Sequence, residues 1–260
     1  MRPLLALVAV SGLVLLAGCS SAPTSTGLGT VRLRMTDAPG PYDAVNLVVE
    51  QVATHRADSD TSGGWEVLSS TPATYDLMQL RNGVFATLGQ ALVPAGHYTQ
   101  VRLKLGAGSN VVAGGVTYPL DVPSGSESGY KLVGEFDVPA GGTVDLALDF
   151  DAARSIVLTG SGKYLLKPTV RVLPFSNAGA IAGHLLPEGV EAQVYALAGP
   201  DTVASAMPGA DGRFQITPLA AGLYTVGIHP TGAYRDTSIA GVTVAAQQTA
   251  DLGDIQLTPQ

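Results

Sequence analysis

Three aspartates on one segment of the chain have the spacing that most directly suggests chemistry. They are Asp145, Asp149 and Asp151. They share one face of the alternating segment 143–151, TVDLALDFD, whose apolar residues occupy the other face. Like charges on one strand face repel, so the carboxylates need a counter-charge or a cation. We expect salt links, with Arg154 or Lys167 as the donor, together with solvent. A structural Ca²⁺ ion, bound with help from Asp37, is the alternative.

Asp58–Gly63 imitates the start of a calcium loop, but Ser69 stands where a full loop needs glutamate, which favours a solvated loop. Beyond these groups, no residues have the spacing of an active site or a metal centre. The histidines are His55, His97, His184 and His229. They are scattered along the chain, and none has a partner at metal-ligand spacing. In Gly125–Gly129, a glutamate stands where a nucleophile elbow would carry serine. In Val157–Tyr164, a valine and a tyrosine replace two defining residues of a phosphate-binding loop. We therefore predict no catalytic residues and no dissociable cofactor.

Trp65 is the only tryptophan, and it is the side chain that we name as a candidate for ligand binding. Sugar sites need aromatic platforms, and aromatic residues make up only 6% of the chain. Trp65 follows two glycines and lies beside an acidic loop. A position in the core or at its rim would explain the same residue, so both interpretations stay open.

The first residues have the organisation of an export signal. A single positive residue, Arg2, precedes the apolar segment Leu4–Leu16, and a small-residue pair then leads to the only cysteine, Cys19. The apolar segment has 13 residues, whereas a membrane-spanning helix needs about 20. This pattern is typical of a secretory signal peptide. We predict a signal peptide at 1–18 and a flexible tether of small, polar residues at 19–29.

The end of this signal, Leu16-Ala17-Gly18-Cys19, resembles the lipobox of bacterial lipoproteins. The resemblance implies cleavage between Gly18 and Cys19, a diacylglycerol on the cysteine sulfur and a further acyl chain, such as palmitate, on the new amine. Two or more chains anchor a protein stably, whereas one is marginal. Cys19 has no cysteine to pair with, which favours lipidation over an ordinary signal peptide.

The lipobox resemblance also implies a location, the bacterial cell envelope. Ser20 and Ser21 follow the anchor, in place of the aspartate that retains some lipoproteins at the inner membrane. We therefore expect the outer membrane or the cell surface, if the organism has two membranes.

Composition limits the partners and the fold class. The formal net charge of −7 argues against nucleic acid and against attraction to anionic lipid headgroups. Charged residues are 13% of the chain, which also contains 32 glycines and 17 prolines. Many turn residues and no long helical periodicity predict an all-β protein, with two β-sandwich domains of immunoglobulin-like or prealbumin-like type.

Alternation of apolar and polar residues places the strands and the domain boundaries. The clearest strand is Tyr98–Leu105, with Thr99, Val101, Leu103 and Leu105 on its core face. Asn82-Gly83 predicts a hairpin turn. The best boundary is the segment 174–179, PFSNAG, which we interpret as a linker between a domain at 30–173 and a domain at 180–260.

The domain at 30–173 resembles the domain of unknown function numbered 4382 (DUF4382), found in bacterial surface lipoproteins. The segments that carry the resemblance are Thr36–Pro39, Tyr75–Leu80, Pro94–Leu103, Asp149–Asp151 and Tyr164–Pro168. This family resemblance implies no activity, so no catalytic residue is carried over.

The domain at 180–260 resembles the carboxypeptidase regulatory-like, transthyretin-type sandwich. The matching segments are Ala180–Leu185, Asp211–Phe214 and Leu219–Val226, with Ala220 in place of the usual proline. We expect about six strands there. The resemblance implies a spacer, adhesion or binding fold, in a superfamily that is often linked to carbohydrate binding.

These observations favour a membrane-anchored surface lipoprotein with a structural or interaction role and no catalysis. The alternative is a module that binds carbohydrate or cell wall. The expected partners are a membrane, contacted through the lipid anchor, and a glycan or an envelope protein, but not nucleic acid. An enzyme would require a polar cleft with converging acid and base groups.

Overall fold

The described part of the chain consists almost entirely of β-strands. The computed structural model describes residues 27–38, 40–58, 63–123 and 128–260. Two 3₁₀ turns and one short α-helix are the helical elements among these residues, and none of their helices is long and apolar enough to cross a membrane. The predicted all-β class is confirmed. The predicted signal peptide, its cleavage site at Gly18–Cys19 and most of the tether lie outside the described residues.

The amino-terminal strands form two sheets that we call together the N-terminal sandwich. The elements are β1 Leu28–Ala38, β2 Ala44–Arg56, β3 Trp65–Ser69, β4 Ala73–Asp76, a 3₁₀ turn at Leu77–Gln79, β5 Ala86–Pro94, β6 Gly96–Leu105, β7 Asn110–Ala113, β8 Val116–Asp121, β9 Tyr130–Val138, β10 Thr143–Asp151, helix α1 Ala152–Ser155, β11 Ile156–Leu158, β12 Tyr164–Leu166 and β13 Val170–Pro174. One sheet has the order β13-β10-β1-β5. The other has the order β11-β12-β8-β7-β2-β6-β9, and β3 and β4 also pair with β2.

The core of the N-terminal sandwich lies between these two sheets. It is built from the inward residues of β1, β6 and β10, which are Val31, Leu33, Met35, Val101, Leu103, Leu105, Leu146, Leu148 and Phe150. All of these side chains are fully buried. Parallel pairing of β1 with β10 places two of these apolar rows side by side in one sheet. The period-two pattern therefore positions the core, because successive residues of a strand point to opposite faces.

The predicted strand Tyr98–Leu105 is present, but its first residues point the other way. The strand register shifts between Tyr98 and Gln100. Tyr98, not Thr99, is therefore fully buried, and its ring stacks on Phe136 with centroids 5.3 Å apart. A β-bulge of this kind changes the face on which later residues fall, which simple alternation does not predict.

The carboxy-terminal strands form a separate pair of sheets that we call the C-terminal sandwich. They are β14 Ala178–Leu186, β15 Ala192–Ala198, β16 Asp201–Ala206, β17 Arg213–Ala220, β18 Gly222–Pro230, β19 Thr237–Val244 and β20 Thr249–Gln256. The sheet orders are β17-β14-β20 and β16-β15-β18-β19. The strand that the sequence did not predict is β16, whose buried residues, Ala204 and Ala206, are too small to give a clear apolar pattern.

The predicted hairpin at Asn82-Gly83 is wrong, although the turn itself is present. Both residues have positive φ, 53° and 83°, as a tight reversal of this type requires. The turn leads from the 3₁₀ turn into β5, however, and β4 and β5 belong to different sheets. The local residues therefore specify the turn, while the pairing partners are chosen elsewhere in the fold.

The connection between the two sandwiches is short. Pro174 is the last residue of β13, a 3₁₀ turn covers Phe175–Asn177, and Ala178 begins β14. Most of the segment 174–179 is thus part of regular elements. So short a connection keeps the two sandwiches next to each other.

Candidate functional site

Each of the three aspartates on β10 lies next to an arginine. Asp145 is engaged by Arg32, whose Nε and Nη2 atoms both contact the carboxylate, the latter at 2.7 Å. Arg34 Nη2 lies 3.7 Å from the same carboxylate. Hydrogen bonding from Arg32 lowers the pKa of Asp145 against a smaller effect of burial.

Asp149 is paired with Arg171 of the neighbouring strand β13. The Arg171 Nη2 atom contacts the carboxylate, and Nε donates to Oδ2 at 3.2 Å. Asp149 is only 4% exposed. Burial raises its pKa to about 6, although Arg171 acts in the opposite direction, because loss of hydration penalises the charged form.

Asp151 is paired with Arg154, the cation that the sequence suggested. Arg154 Nε lies 2.6 Å from Asp151 Oδ2, and its backbone N–H donates to Oδ1 at 2.9 Å, which caps helix α1. Lys167, the other suggested cation, forms no salt bridge among the described residues, and its backbone N–H donates to Ser155 O at 2.7 Å.

Asp37 is a buried carboxylate close to this group. It is 5% exposed; its Oδ1 accepts a hydrogen bond from Ala152 N at 3.0 Å, and its Oδ2 has no partner among the described residues. Burial raises its pKa well above the usual value, and the carboxylates of Asp149 and Asp151 raise it further. No set of three or more histidine, cysteine, aspartate or glutamate residues within the described ranges could hold a metal ion. Calcium binding stays a prediction.

The expectation that solvent shares in satisfying this strand face is wrong for Asp149 and Asp151. Both are buried, and Ala147, which lies between Asp145 and Asp149 on the same strand face, is fully buried. The reason is that the C-terminal sandwich lies against this side of the sheet, where β1 contacts β16. The sequence of β10 alone does not indicate that the C-terminal sandwich covers this face of the strand.

Two of the arginines that pair with β10 also reach the C-terminal sandwich. Arg171 Nη2 donates to Pro218 O at 3.3 Å, and Arg154 Nη1 donates to Thr202 O at 3.1 Å. Each arginine therefore holds a buried carboxylate on one side and a carbonyl of the other sandwich on the other side. A guanidinium group can do both because its five N–H donors are spread around a plane.

An aromatic cluster adds to this contact. The Arg34 guanidinium lies 4.0 Å from the ring centroid of Phe175 and 5.9 Å from that of Phe85. The two phenylalanine rings meet edge to face at 5.0 Å. Phe175 belongs to the connection and Arg34 to β1, so cation–π attraction joins the connection to the N-terminal sandwich.

Asn82 supplies the last part of the contact. Its Nδ2 donates to Met207 O at 3.0 Å, and its Oδ1 accepts from Gln215 N at 3.3 Å. We call the whole set the inter-sandwich contact. It comprises Arg34, Asn82, Phe85, Arg154, Arg171 and Phe175 with Thr202, Met207, Gln215 and Pro218.

Trp65 lies on the outer face of the large sheet rather than in the core. It is half-buried, and it is paired across the strands with His55 of β2, with ring centroids 4.9 Å apart. The Arg102 guanidinium lies 4.3 Å from the indole centroid, and Lys131 Nζ lies 5.9 Å from it. Trp65 was a candidate from the sequence, but the two cations beside it were missed, although the outward alternation of β6 already placed Arg102 on that face.

A polar cavity of about 720 Å³ lies between β9, β10 and the connection. Its carboxylates belong to Glu135, Asp137 and Asp145. Asp145 is held by Arg32, and Asp137 is held by His97 at 2.9 Å. The cavity thus brings acidic groups together, but two of the three already have strong partners.

With the geometry described, comparison with known proteins places the chain in a family. The family profile described as "Domain of unknown function (DUF4382)" matches residues 28–168, which include β1 to β12. The chain belongs to the DUF4382 family. The predicted membership is confirmed, and the DUF4382 domain supplies both the aspartates of β10 and Trp65.

Solved structures offer distant likenesses only. A type II cohesin–X-dockerin complex chain from Acetivibrio cellulolyticus is 25% identical over 31% of this chain and 57% of its own length, with a TM-score of 0.27. The minor pilin GBS52 of Streptococcus agalactiae is 12% identical over 88% of this chain and 97% of its own, with a TM-score of 0.23. The shaft pilin SpaA of Lactobacillus rhamnosus GG is 9% identical over 90% and 98%, with a TM-score of 0.24. At these TM-scores the likenesses carry no functional argument, and no protein of curated function matches the chain.

Proposed function

We propose that this DUF4382 protein is a lipid-anchored lipoprotein of the bacterial cell envelope that has a structural or interaction role and no catalytic activity. The anchor is a lipid on Cys19, which becomes the first residue when the chain is cleaved behind Gly18. The segment 19–29 then connects the anchor to the first sandwich. The protein is displayed on the outer membrane or cell surface where the organism has two membranes.

The inter-sandwich contact is the observation that carries the structural part of this proposal. Arg154 and Arg171 use their guanidinium groups to join two sandwiches while holding buried carboxylates. Acidic groups engaged in this way are committed to architecture, because the carboxylates of Asp149 and Asp151 are buried and held by arginine donors. Two sandwiches fixed to one another can carry a binding surface at the membrane as one unit.

The sequence supports the anchoring part. A short apolar segment followed by a lipobox-like end at Cys19 is the arrangement that a lipoprotein needs. Several acyl chains hold a protein at a bilayer without a membrane-spanning helix.

A second candidate function is the binding of carbohydrate or cell wall. Two observations favour it, the aromatic and cationic surface around Trp65 and the resemblance of 180–260 to carboxypeptidase regulatory-like domains. Seven strands in two sheets are compatible with that transthyretin-type fold.

Mass spectrometry of the mature amino terminus tests the anchoring. The chain is produced in a bacterial host, and membrane and soluble fractions are compared for the native chain, Cys19→Ser and the matched control Ser20→Ala. We expect an acylated amino-terminal Cys19 peptide from the membrane fraction of the native chain and the control, and none from Cys19→Ser. An unmodified Cys19 amine, or an unprocessed chain in the soluble cell interior, would contradict the proposal.

A further inference from the structure

The outer face of strands β6 and β9 carries two cations directly opposite one another. Arg102 of β6 is paired with Lys131 of β9 in the strand register. Like charges in this position are destabilising. Within the described ranges, neither side chain forms a salt bridge with a carboxylate. The Arg102–Lys131 pair is therefore unfavourable for the pairing of β6 with β9.

Neighbouring basic residues on the same strand do have acidic partners. Lys104, two residues along β6, is paired with Glu50 at 3.1 Å. His97, near the start of β6, is paired with Asp137, which lies directly opposite on β9. Among the residues that the structure describes, the absence of an acid at Arg102–Lys131 is thus specific to this pair and not a general property of the face.

The surroundings of the pair hold the Arg102 side chain in place. Its guanidinium lies over the Trp65 ring at 4.3 Å, and its aliphatic part lies against Gly129, where a Cβ atom would come within 2.9 Å of Arg102 Cγ. His55, which is 8% exposed, packs against the Trp65 ring. Both nitrogens of its imidazole lack a hydrogen-bond partner among the described residues. A positioned guanidinium beside an unsatisfied imidazole is typical of a recognition site, because buried polar groups are normally satisfied.

We propose that this surface, formed by Trp65, Arg102 and Lys131 with His55 beneath, binds an anionic polysaccharide through its carboxylate or phosphate groups. The inference deepens the proposed function, since it rests on the chain being displayed in the envelope. Arg102 receives the anionic group with its planar donor set, Lys131 adds a second charge, and the indole offers an apolar surface to the C–H groups of a sugar.

The charge of the whole chain favours a polysaccharide over a membrane surface or a nucleic acid. With a formal net charge of −7, the protein is repelled by surfaces that present dense negative charge to all of it. A polysaccharide carries its anionic groups one sugar at a time, so a single group can meet the Arg102–Lys131 pair locally. The open face of a sheet also suits an extended chain.

Binding is tested with the full-length protein purified in detergent. The probes are polygalacturonate for carboxylates, a phosphomannan for phosphates, neutral dextran, and vesicles of neutral or of anionic phospholipid, at about 0.1 M salt, where long-range forces are screened. The variants are Arg102→Gln and Lys131→Gln. The matched control is Lys104→Gln, which removes a cation from the same strand face but from a paired position.

We expect binding to one or both anionic polymers, none to dextran, and no preference for anionic over neutral vesicles. Arg102→Gln and Lys131→Gln should each weaken it about tenfold, as the loss of a charge-assisted hydrogen bond predicts. Lys104→Gln should change it less than about twofold. Binding to only one of the two anionic polymers identifies whether the surface recognises a carboxylate or a phosphate group.

Several outcomes would overturn the inference. They are absence of binding to both polymers, equal losses in Lys104→Gln and in the two test variants, or a preference for anionic over neutral vesicles without binding to either polymer. Failure of lipidation at Cys19 would overturn the anchoring and leave the polymer measurement unchanged, so the two proposals fail separately.

Discussion

The N-terminal sandwich carries charged residues on the outer side of both of its sheets, and the two sides differ in how the charges are satisfied. On the small sheet, Asp145, Asp149 and Asp151 each lie next to an arginine, and the last two are buried. On the large sheet, Arg102 and Lys131 face each other across two strands with no acid beside them in the described residues.

The charges on the small sheet stabilise the structure, whereas the charges on the large sheet are available for binding a ligand. On the small sheet, the arginines that neutralise Asp149 and Asp151 also hold the C-terminal sandwich, so the charges contribute to architecture. On the large sheet, the cations contribute nothing favourable to pairing, because like charges across strands repel. Substitutions in the arginine–aspartate pairs of the small sheet should therefore lower stability. Removing the charge repulsion on the large sheet should instead raise stability and weaken binding.

The largest expected effect comes from Arg171→Ala. This change leaves the carboxylate of Asp149 buried without its counter-charge, which typically costs about 3–5 kcal/mol of unfolding free energy at neutral pH. Denaturant unfolding measures it. The control is Arg213→Ala, because Arg213 and Asp211 are mostly exposed and 4.0 Å apart, and such pairs contribute below about 1 kcal/mol. Equal losses in the two variants would remove the architectural role of the Arg171 pair.

The pH dependence of stability gives the next effect. Burial raises the pKa of Asp149 to about 6, above the unfolded value of about 3.9, so the folded state binds more protons between these values. The unfolding free energy should therefore rise as the pH falls from about 7 to about 4, by about 3 kcal/mol from this residue, and Asp37 acts in the same direction. This contribution is lost as the pH rises through 6.

Asp149→Asn isolates that contribution, because the amide does not titrate. Unfolding curves at several pH values should show a smaller rise toward acid pH in the variant than in the native chain. Parallel curves would show that Asp149 is not the group that titrates. Asp145 does not share this behaviour, since its pKa is lowered and its contribution is lost only below about pH 4.

A smaller effect is expected at the Asn82-Gly83 turn, which contacts the C-terminal sandwich. Asn82→Ala removes two hydrogen bonds to the C-terminal sandwich and places alanine at a positive φ of 53°, for a loss of about 2 kcal/mol. Asn82→Gly keeps the backbone conformation accessible, so it should lose only the hydrogen-bond part, about 1 kcal/mol. Thermal unfolding compares them. An unchanged melting temperature in Asn82→Gly would show that the side-chain contacts contribute nothing.

Local patterns predicted much of the fold, because most strands bury one face. Val101, Leu103 and Leu105 point inward as alternation requires. The turn at Asn82-Gly83 was also recognisable, since both residues tolerate positive φ. Alternation and turn residues did not predict which strands flank that turn or on which face of β6 Thr99 lies. Both depend on pairing with residues that are distant in the chain.

The candidate site was predicted less well for the same reason. The aspartates of β10 were identified as needing counter-charges, and Arg154 is one of them. Arg32 and Arg171 were not identified, because each is brought to β10 by strand pairing across the sheet. The Arg102–Lys131 pair was also missed, since a like-charge pair becomes visible only when the register of β6 and β9 is known.

Lys131→Glu tests the comparison most directly, because it replaces repulsion across the strands with attraction to Arg102. The unfolding free energy and the binding to polygalacturonate and the phosphomannan are measured on the same preparation. We predict a gain of about 0.2–1 kcal/mol in stability together with loss of polymer binding. A loss of stability, or binding that survives the substitution, would contradict the view that this pair is kept for a ligand.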